Sequence, residues 1–221
     1  MYVPTSFRLD DPAKLRQTIA QSPFALLITQ GEAGLFATHL PFLYDPDREA
    51  PDHEAPDHEA LGILRGHVAR ANPHWKYIAD NQEALVIFSG PHTYISPRWY
   101  TEPDGMVPTW NYMAVHVYGH ARTIADPAWL RTMLDDLSAP YETAADGTIL
   151  WQPNWQDDSS HERLLRGIVG IEITISKMEG KAKLSQNRSL NDQQALIGHL
   201  EAQDEDMSRA VAMAMRQNLK S

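Results

Sequence analysis

Residues 88–100, FSGPHTYISPRWY, gather Ser89, His92, Tyr94, Ser96, Arg98, Trp99 and Tyr100 in one short stretch. Aromatic side chains on a strand are most often core. So many hydrogen-bonding tips among them also suit a flat conjugated ligand, whose faces stack on rings and whose edges need donors. VPTWNY, residues 107–112, repeats the theme with Thr109, Trp110 and Asn111. KAKLSQNRS, residues 181–189, adds cations: Lys181 and Lys183 share one face of a strand end. Ser185, Gln186, Asn187 and Arg188 then offer side-chain and backbone donors close to a helix start. Cations and donors in that setting make an anion site; a solvated basic turn accounts for the same composition.

A second group lies in GHVARANPHW, residues 66–75. His67 shares a strand face with Ile63 and Arg65. Asn72 has a sufficient duty as a helix cap, and Trp75 is expected to pack in the first helical turn. His67 has no comparable structural duty, and a neutral imidazole at a strand end is a competent iron ligand. His116 and His120 alternate with Val115 and Val117, so they read either as one face of a half-buried strand or as the wall of a cofactor cleft. The pentapeptide PDHEA occurs at 51–55 and again at 56–60. Its histidines, His53 and His58, sit among acids, which reads first as a solvated loop and only second as a weak metal site.

Other chemistries find little support. The chain has no cysteine, which excludes thiolate nucleophiles, disulfides, cysteine-ligated zinc and iron–sulfur clusters. It lacks the Gly-x-Ser-x-Gly elbow of the serine hydrolases. The His-Glu-x-x-His zinc pair, the dinucleotide glycine fingerprint and the P-loop are missing too.

These groups need elements to position them. Asp11-Pro12, Asn72-Pro73 and Asp126-Pro127 each read as an N-cap followed by a proline in the first helical turn. Strand-like runs occupy 24–29 and 34–44 around a hairpin turn, then 61–69, 84–90, 92–96, 107–124 and 167–185. Gly90-Pro91 is expected to form a tight turn between two of them. From about Asn191 the tail reads as two helices broken near Gln203-Asp204. Most successive strands are too close for a helical crossover, so a parallel sheet is excluded and a closed or nearly closed antiparallel barrel is expected. The barrel is assigned to 1–190, with an acidic insertion at 45–60, and a helical extension to 191–221.

The 221 residues carry a net charge of −10. Residues 45–60 hold seven acids and one arginine, so most of that charge belongs to one loop. The acidic balance and the lack of a basic helix-turn-helix argue against direct DNA binding. There is no apolar run of 18 residues that would span a membrane. The N-terminus lacks the basic start and apolar core of a signal peptide, and a reducing cytoplasm is the expected compartment.

Taken together and in order, MYVP…F, GHVARANPHW, VIFSGPHTYISPRWY, VPTWNY and KLSQNRS resemble the PaiB family, described as FMN-binding negative transcriptional regulators. The resemblance runs nearly end to end. It implies the FMN-binding split β-barrel shared with pyridoxamine-phosphate oxidases and flavin reductases, here mainly β with peripheral helices and a C-terminal helical tail. It also implies a homodimer with FMN at the subunit interface. Heme-dependent piperazate synthases look like a branch of the same family. They form a nitrogen–nitrogen bond from an N-hydroxylated ornithine, and the position matching His67 is expected to ligate the heme b iron. The resemblance thus gives His67 as iron ligand or flavin edge donor. Arg70, Lys183 and Arg188 become partners of phosphate or propionates. Tyr94, Ser96, Trp99 and Trp110 become ring contacts, with Gln186 and Asn187 as further donors. The implied function is a redox or ligand sensor in regulation. A heme- or flavin-dependent enzyme is the alternative, and a dimeric interaction protein with a vestigial pocket is a third reading.

Overall fold

The computed structural model describes residues 1–31, 34–48, 61–78, 82–155 and 158–219. Most of the acidic insertion, with His53 and His58, lies outside the described residues.

In chain order the elements are β1 (Arg8–Leu9), α1 (Pro12–Gln21), β2 (Phe24–Gly31), β3 (Gly34–Pro41), β4 (Leu43–Asp45), β5 (Ile63–Ala69) and the single turn α2 (His74–Tyr77). There follow β6 (Gln82–Ile95), β7 (Thr109–Ile124), α3 (Pro127–Ser138), α4 (Asp158–Arg166), β8 (Ile168–Lys183), α5 (Leu190–Glu201) and α6 (Asp206–Leu219). Two helix starts follow directly from their capping chemistry. The Asp11 carboxylate accepts from the Ala13 amide, and Asp126 accepts from the amides of Ala128 and Trp129, each with proline at the first helical position.

The strand order is β3-β2-β6-β7-β8-β5-β4, with β1 paired to β8. The pairs β2–β3, β2–β6, β4–β5, β5–β8 and β1–β8 are all antiparallel. The first and last strands of this path, β3 and β4, are separated in the chain by Phe42 alone, which is 2% exposed. Its amide donates to the Pro23 carbonyl. Next to this junction a Cβ at Gly66 would come within 2.9 Å of the Pro41 carbonyl oxygen, so only glycine lets β5 approach the end of β3. Strand β5 thus comes against the end of β3, and no ladder joins β3 to β4 among the described residues. The architecture is the split β-barrel, mainly β with peripheral helices.

One expectation is corrected. Gly90-Pro91 does not turn: β6 runs unbroken through both residues. Gly90 serves close approach instead, since a Cβ there would stand 3.1 Å from both the Cβ and the carbonyl oxygen of Met113 on β7. The short helix α4 and the brief pairing of β1 had no local signal strong enough to be read.

The chain divides into two compact units. The first comprises 1–22, 88–116 and 179–221, and the second 23–87 and 117–178. The first is built on the buried faces of α5 and α6, where Leu196, Ile197, Leu200, Val211, Ala212 and Met215 are at most 1% exposed. In the second, the alternating positions Ile171 and Ile173 of β8 are fully buried. A satellite cluster of Leu130, Met133 and Leu165 joins α3 to α4. Among the described residues no helix is long and apolar enough to cross a membrane.

Candidate cofactor site

In the first unit, strand alternation sorts the residues of the aromatic motif. Thr93 and Ile95 point inward, while His92 and Tyr94 are exposed. Trp110, in β7, is 53% exposed beside fully buried Asn111. The outward rings meet. Tyr94 sets its edge against Trp99 at 6.4 Å and against Trp110 at 6.1 Å, both at 78°. His92 lies 6.4 Å from Trp110, and Trp99 stacks on His199 of α5 at 5.8 Å and 20°. Ser96 is not among these contacts. It is buried, and its hydroxyl accepts from the amide and Nε of Arg98, capping a 3₁₀ turn at Pro97–Trp99.

Lys183 sits at the edge of this aromatic surface. Its Nζ donates to the Thr109 hydroxyl at 2.7 Å and to the Trp110 carbonyl at 2.6 Å. Burial, and then repulsion from Lys181 and Arg188, pull its pKa below the ordinary lysine range. Lys181 is buried, with Nζ over the rings of Tyr112 and Tyr2 and a hydrogen bond to the Tyr2 carbonyl. The Arg188 guanidinium lies 5.4 Å over Tyr100.

The turn that follows β8 is held from several sides. Ser185 adopts φ 62°, a left-handed conformation, and its hydroxyl pairs with the buried side chain of Asn111. Gln186 folds back, accepting from the Leu184 amide at 2.7 Å and donating to the Ala182 carbonyl at 2.6 Å. Asn187 is exposed. Ser189 caps α5 by accepting from the Asp192 amide. Hydrogen bonds from Thr101 and Ser189 hold the Asp192 carboxyl below the usual range.

His67 and Arg70 belong to the second unit. In β5, His67 stands opposite Gly170 of β8. Its Nδ1 is buried without a hydrogen-bond partner among the described residues, and burial lowers the imidazole pKa, favouring the neutral ring. Arg70 clamps the junction of α4 and β8, donating from Nε to the Arg166 carbonyl at 2.6 Å and from Nη2 to the Ile168 carbonyl at 3.0 Å. It also covers Trp75, whose indole donates to the Arg70 carbonyl.

The structure thus brings Tyr94, Trp99, Trp110 and Lys183 into one contact group and puts Arg188 on Tyr100. It turns Ser96 and Gln186 toward the backbone. The placement of three residues escaped the sequence reading, although Asn111 was already named there for its hydrogen-bonding side chain. His199 and Asn111 act through partners far away in the chain, which no local spacing reveals. His74 is fully buried, its Nε2 2.9 Å from the Thr29 hydroxyl and its Nδ1 2.8 Å from that of Thr38. Its position two residues after Asn72, which accepts from the His74 amide, was the available clue.

Comparison with known proteins agrees with this architecture. The family described as "Putative FMN-binding domain" matches residues 1–177. The chain is 31% identical over 220 residues to the Protease synthase and sporulation protein PAI 2 of Bacillus subtilis (strain 168), covering 100% of this chain and 99% of that protein. Among solved structures, it is similar to the FAD and heme binding protein from Mycobacterium smegmatis, with TM-score 0.55 and 14% identity, over 85% of this chain and 78% of that one. It is also similar to the flavocytochrome Anf3 from Azotobacter vinelandii, with TM-score 0.54 and 16% identity, over 82% of this chain and 72% of that one. At those identities the two structures speak to the fold alone. The match to the FMN-binding-domain family and the end-to-end likeness to its Bacillus relative place the chain in the PaiB family of split-barrel proteins.

Proposed function

We propose that the chain binds FMN on the ring surface of Tyr94, Trp99 and Trp110, and serves as a redox- or ligand-responsive element in regulation. The observation that carries this reading is the exposure of Tyr94 and Trp110, with half-buried Trp99 also against Tyr94, beside a lysine. A contiguous exposed aromatic surface marks a binding site far more often than a solvated one. The residues fit the cofactor: rings offer the isoalloxazine a stacking face, and Lys183 and Arg188 are cations for the terminal phosphate. Asn187, exposed between them, is a further donor. Bound flavin supplies reversible electron transfer; the chain's own residues stack it, hold its phosphate and exclude water from one face.

The regulatory half of the reading is supported by the name of the Bacillus relative, which refers to protease synthesis and sporulation. A net charge of −10 supports action through a bound cofactor or protein partner over broad DNA contact. The working unit is a homodimer in the cytoplasm, as the family resemblance implies. Titration of the purified chain with FMN tests the cofactor assignment: saturable uptake with quenched flavin fluorescence is expected, weakened at least tenfold in Trp110→Ala. Equal uptake by that variant would move the flavin elsewhere.

A second reading, heme on His67, is favoured by one observation: a buried Nδ1 without a hydrogen-bond partner among the described residues, on a ring whose neutral form burial favours. Hemin addition distinguishes it. A sharp Soret band that His67→Ala abolishes supports axial ligation; a band indifferent to that change rejects it.

A further inference from the structure

Three arginines of the second unit converge on a cavity that the flavin reading does not use. It encloses about 280 Å³ between the start of α3 and α4, with Arg70, Arg131 and Arg166 at its wall and one acid, Glu162. Leu130 and Leu165 supply an apolar floor. Three cations against one carboxylate is a reversal of sign in a chain whose net charge is −10.

The arginines differ in what already holds them. Arg70 is fixed by its two carbonyl acceptors and by Trp75, so its guanidinium is pre-oriented. Arg166, at the end of α4, reaches Glu162 at 3.5 Å and no other acid among the described residues, and is 70% exposed. Arg131, on α3, has a buried Nε with no hydrogen-bond partner among the described residues. A buried guanidinium N–H without an acceptor is unfavourable unless a ligand supplies one. The Asp126 carboxylate at the start of α3 is occupied with the Ala128 and Trp129 amides.

We propose that this cavity binds a phosphate monoester with a small apolar body, at a site separate from the flavin surface. Guanidinium groups match oxyanions through directed, charge-assisted hydrogen bonds. Three guanidiniums approaching from separate elements need more acceptors than the two oxygens of a carboxylate. A phosphate monoester presents three terminal oxygens, and its organic part meets Leu130 and Leu165. The anion-binding role that the resemblance implies for Arg70 then belongs here.

The test is calorimetric titration of the full-length chain with phenyl phosphate, inorganic phosphate and benzoate at low ionic strength. Saturable binding of phenyl phosphate is expected, tighter than either of the other two. Arg131→Met and the exposed change Arg166→Gln should each weaken it by about tenfold, as loss of a charge-assisted contact does. Thermal melts of both variants identify any loss of folding, and Arg166→Gln carries the test if Arg131→Met does not fold. Absence of saturable binding, benzoate binding as tightly as phenyl phosphate, or unchanged affinity in Arg166→Gln overturns the proposal. FMN uptake should be indifferent to saturating phenyl phosphate. Competition between them would give the cavity to the cofactor and remove the separate site. Failure of flavin uptake alone leaves the phosphate result standing.

Discussion

Asn111 and Ser185, 74 residues apart, hold each other through two hydrogen bonds: Asn111 Nδ2 donates to Ser185 Oγ at 2.9 Å, and Ser185 Oγ donates to Asn111 Oδ1 at 3.1 Å. The pair is buried, and Ser185 carries a positive φ. A β7 side chain thus fixes the turn that carries Asn187 and Arg188. Asn111→Ala removes both bonds and leaves the Ser185 hydroxyl buried without a partner. A loss of about 1–3 kcal/mol is expected, read from urea denaturation midpoints. A loss of only a few tenths would show that the turn holds without this pair.

Glu172 is a second buried anchor, 2% exposed. Its Oε1 accepts from Arg122 Nε at 2.8 Å and Nη2 at 2.6 Å, and its Oε2 from the Trp129 indole at 3.2 Å. Removing one partner of a buried pair is more damaging than the pair's own net worth. Glu172→Gln should therefore destabilise the chain by about 2–3 kcal/mol, toward the lower end because Arg122 is one-third exposed and rehydrates. An unchanged melting curve would contradict this.

Lys183 separates the ring-binding and phosphate-binding parts of the flavin reading. Lys183→Met removes a cation next to the aromatic surface while keeping a similar stem. FMN affinity should fall about tenfold, and riboflavin affinity should stay unchanged, because riboflavin lacks the phosphate. Equal losses for both ligands would make Lys183 a support for Trp110 and nothing more.

Stability should also depend on pH through buried imidazoles. Burial lowers the pKa of His67 and His74; for His116 burial and then the N-terminal amine lower it, against Glu179. The unfolded chain then binds protons at higher pH than the folded one. Well above pH about 6.5 these groups contribute no slope, and stability declines as the pH falls below that value. Urea midpoints measured from pH 7.5 to 5.5 should decrease, and His67→Gln should reduce the decrease. A flat profile across that window rules out the assignment.

Much of the fold was legible because its signals are local. Asp11-Pro12 and Asp126-Pro127 cap their helices as read, the β2–β3 hairpin closes at Gly31 and Gly34, and α5 and α6 break where expected. Gly90-Pro91 misled because glycine has two uses. It permits turns, and it permits a neighbouring backbone to come close; only the position of Met113 decides between them. The cofactor site was half legible for the same reason. Residue type marked Tyr94 and Trp110 as candidate ring contacts, although aromatics on a strand are most often core; their exposure is a finding of the structure. Nothing local showed that Ser96 would turn inward to cap its own 3₁₀ turn, that Gln186 would fold onto β8, or that His199 would stack on Trp99.

The central claim is that the rings of Tyr94, Trp99 and Trp110 form the seat of a flavin. The most direct measurement is equilibrium titration of the apo-chain with FMN, following flavin fluorescence and tryptophan emission together in the native protein and in Trp110→Ala. Saturation at one FMN per chain, with both signals quenched and affinity lost in the variant, is the predicted result. No saturable uptake, or uptake that Trp110→Ala leaves intact, would contradict the account.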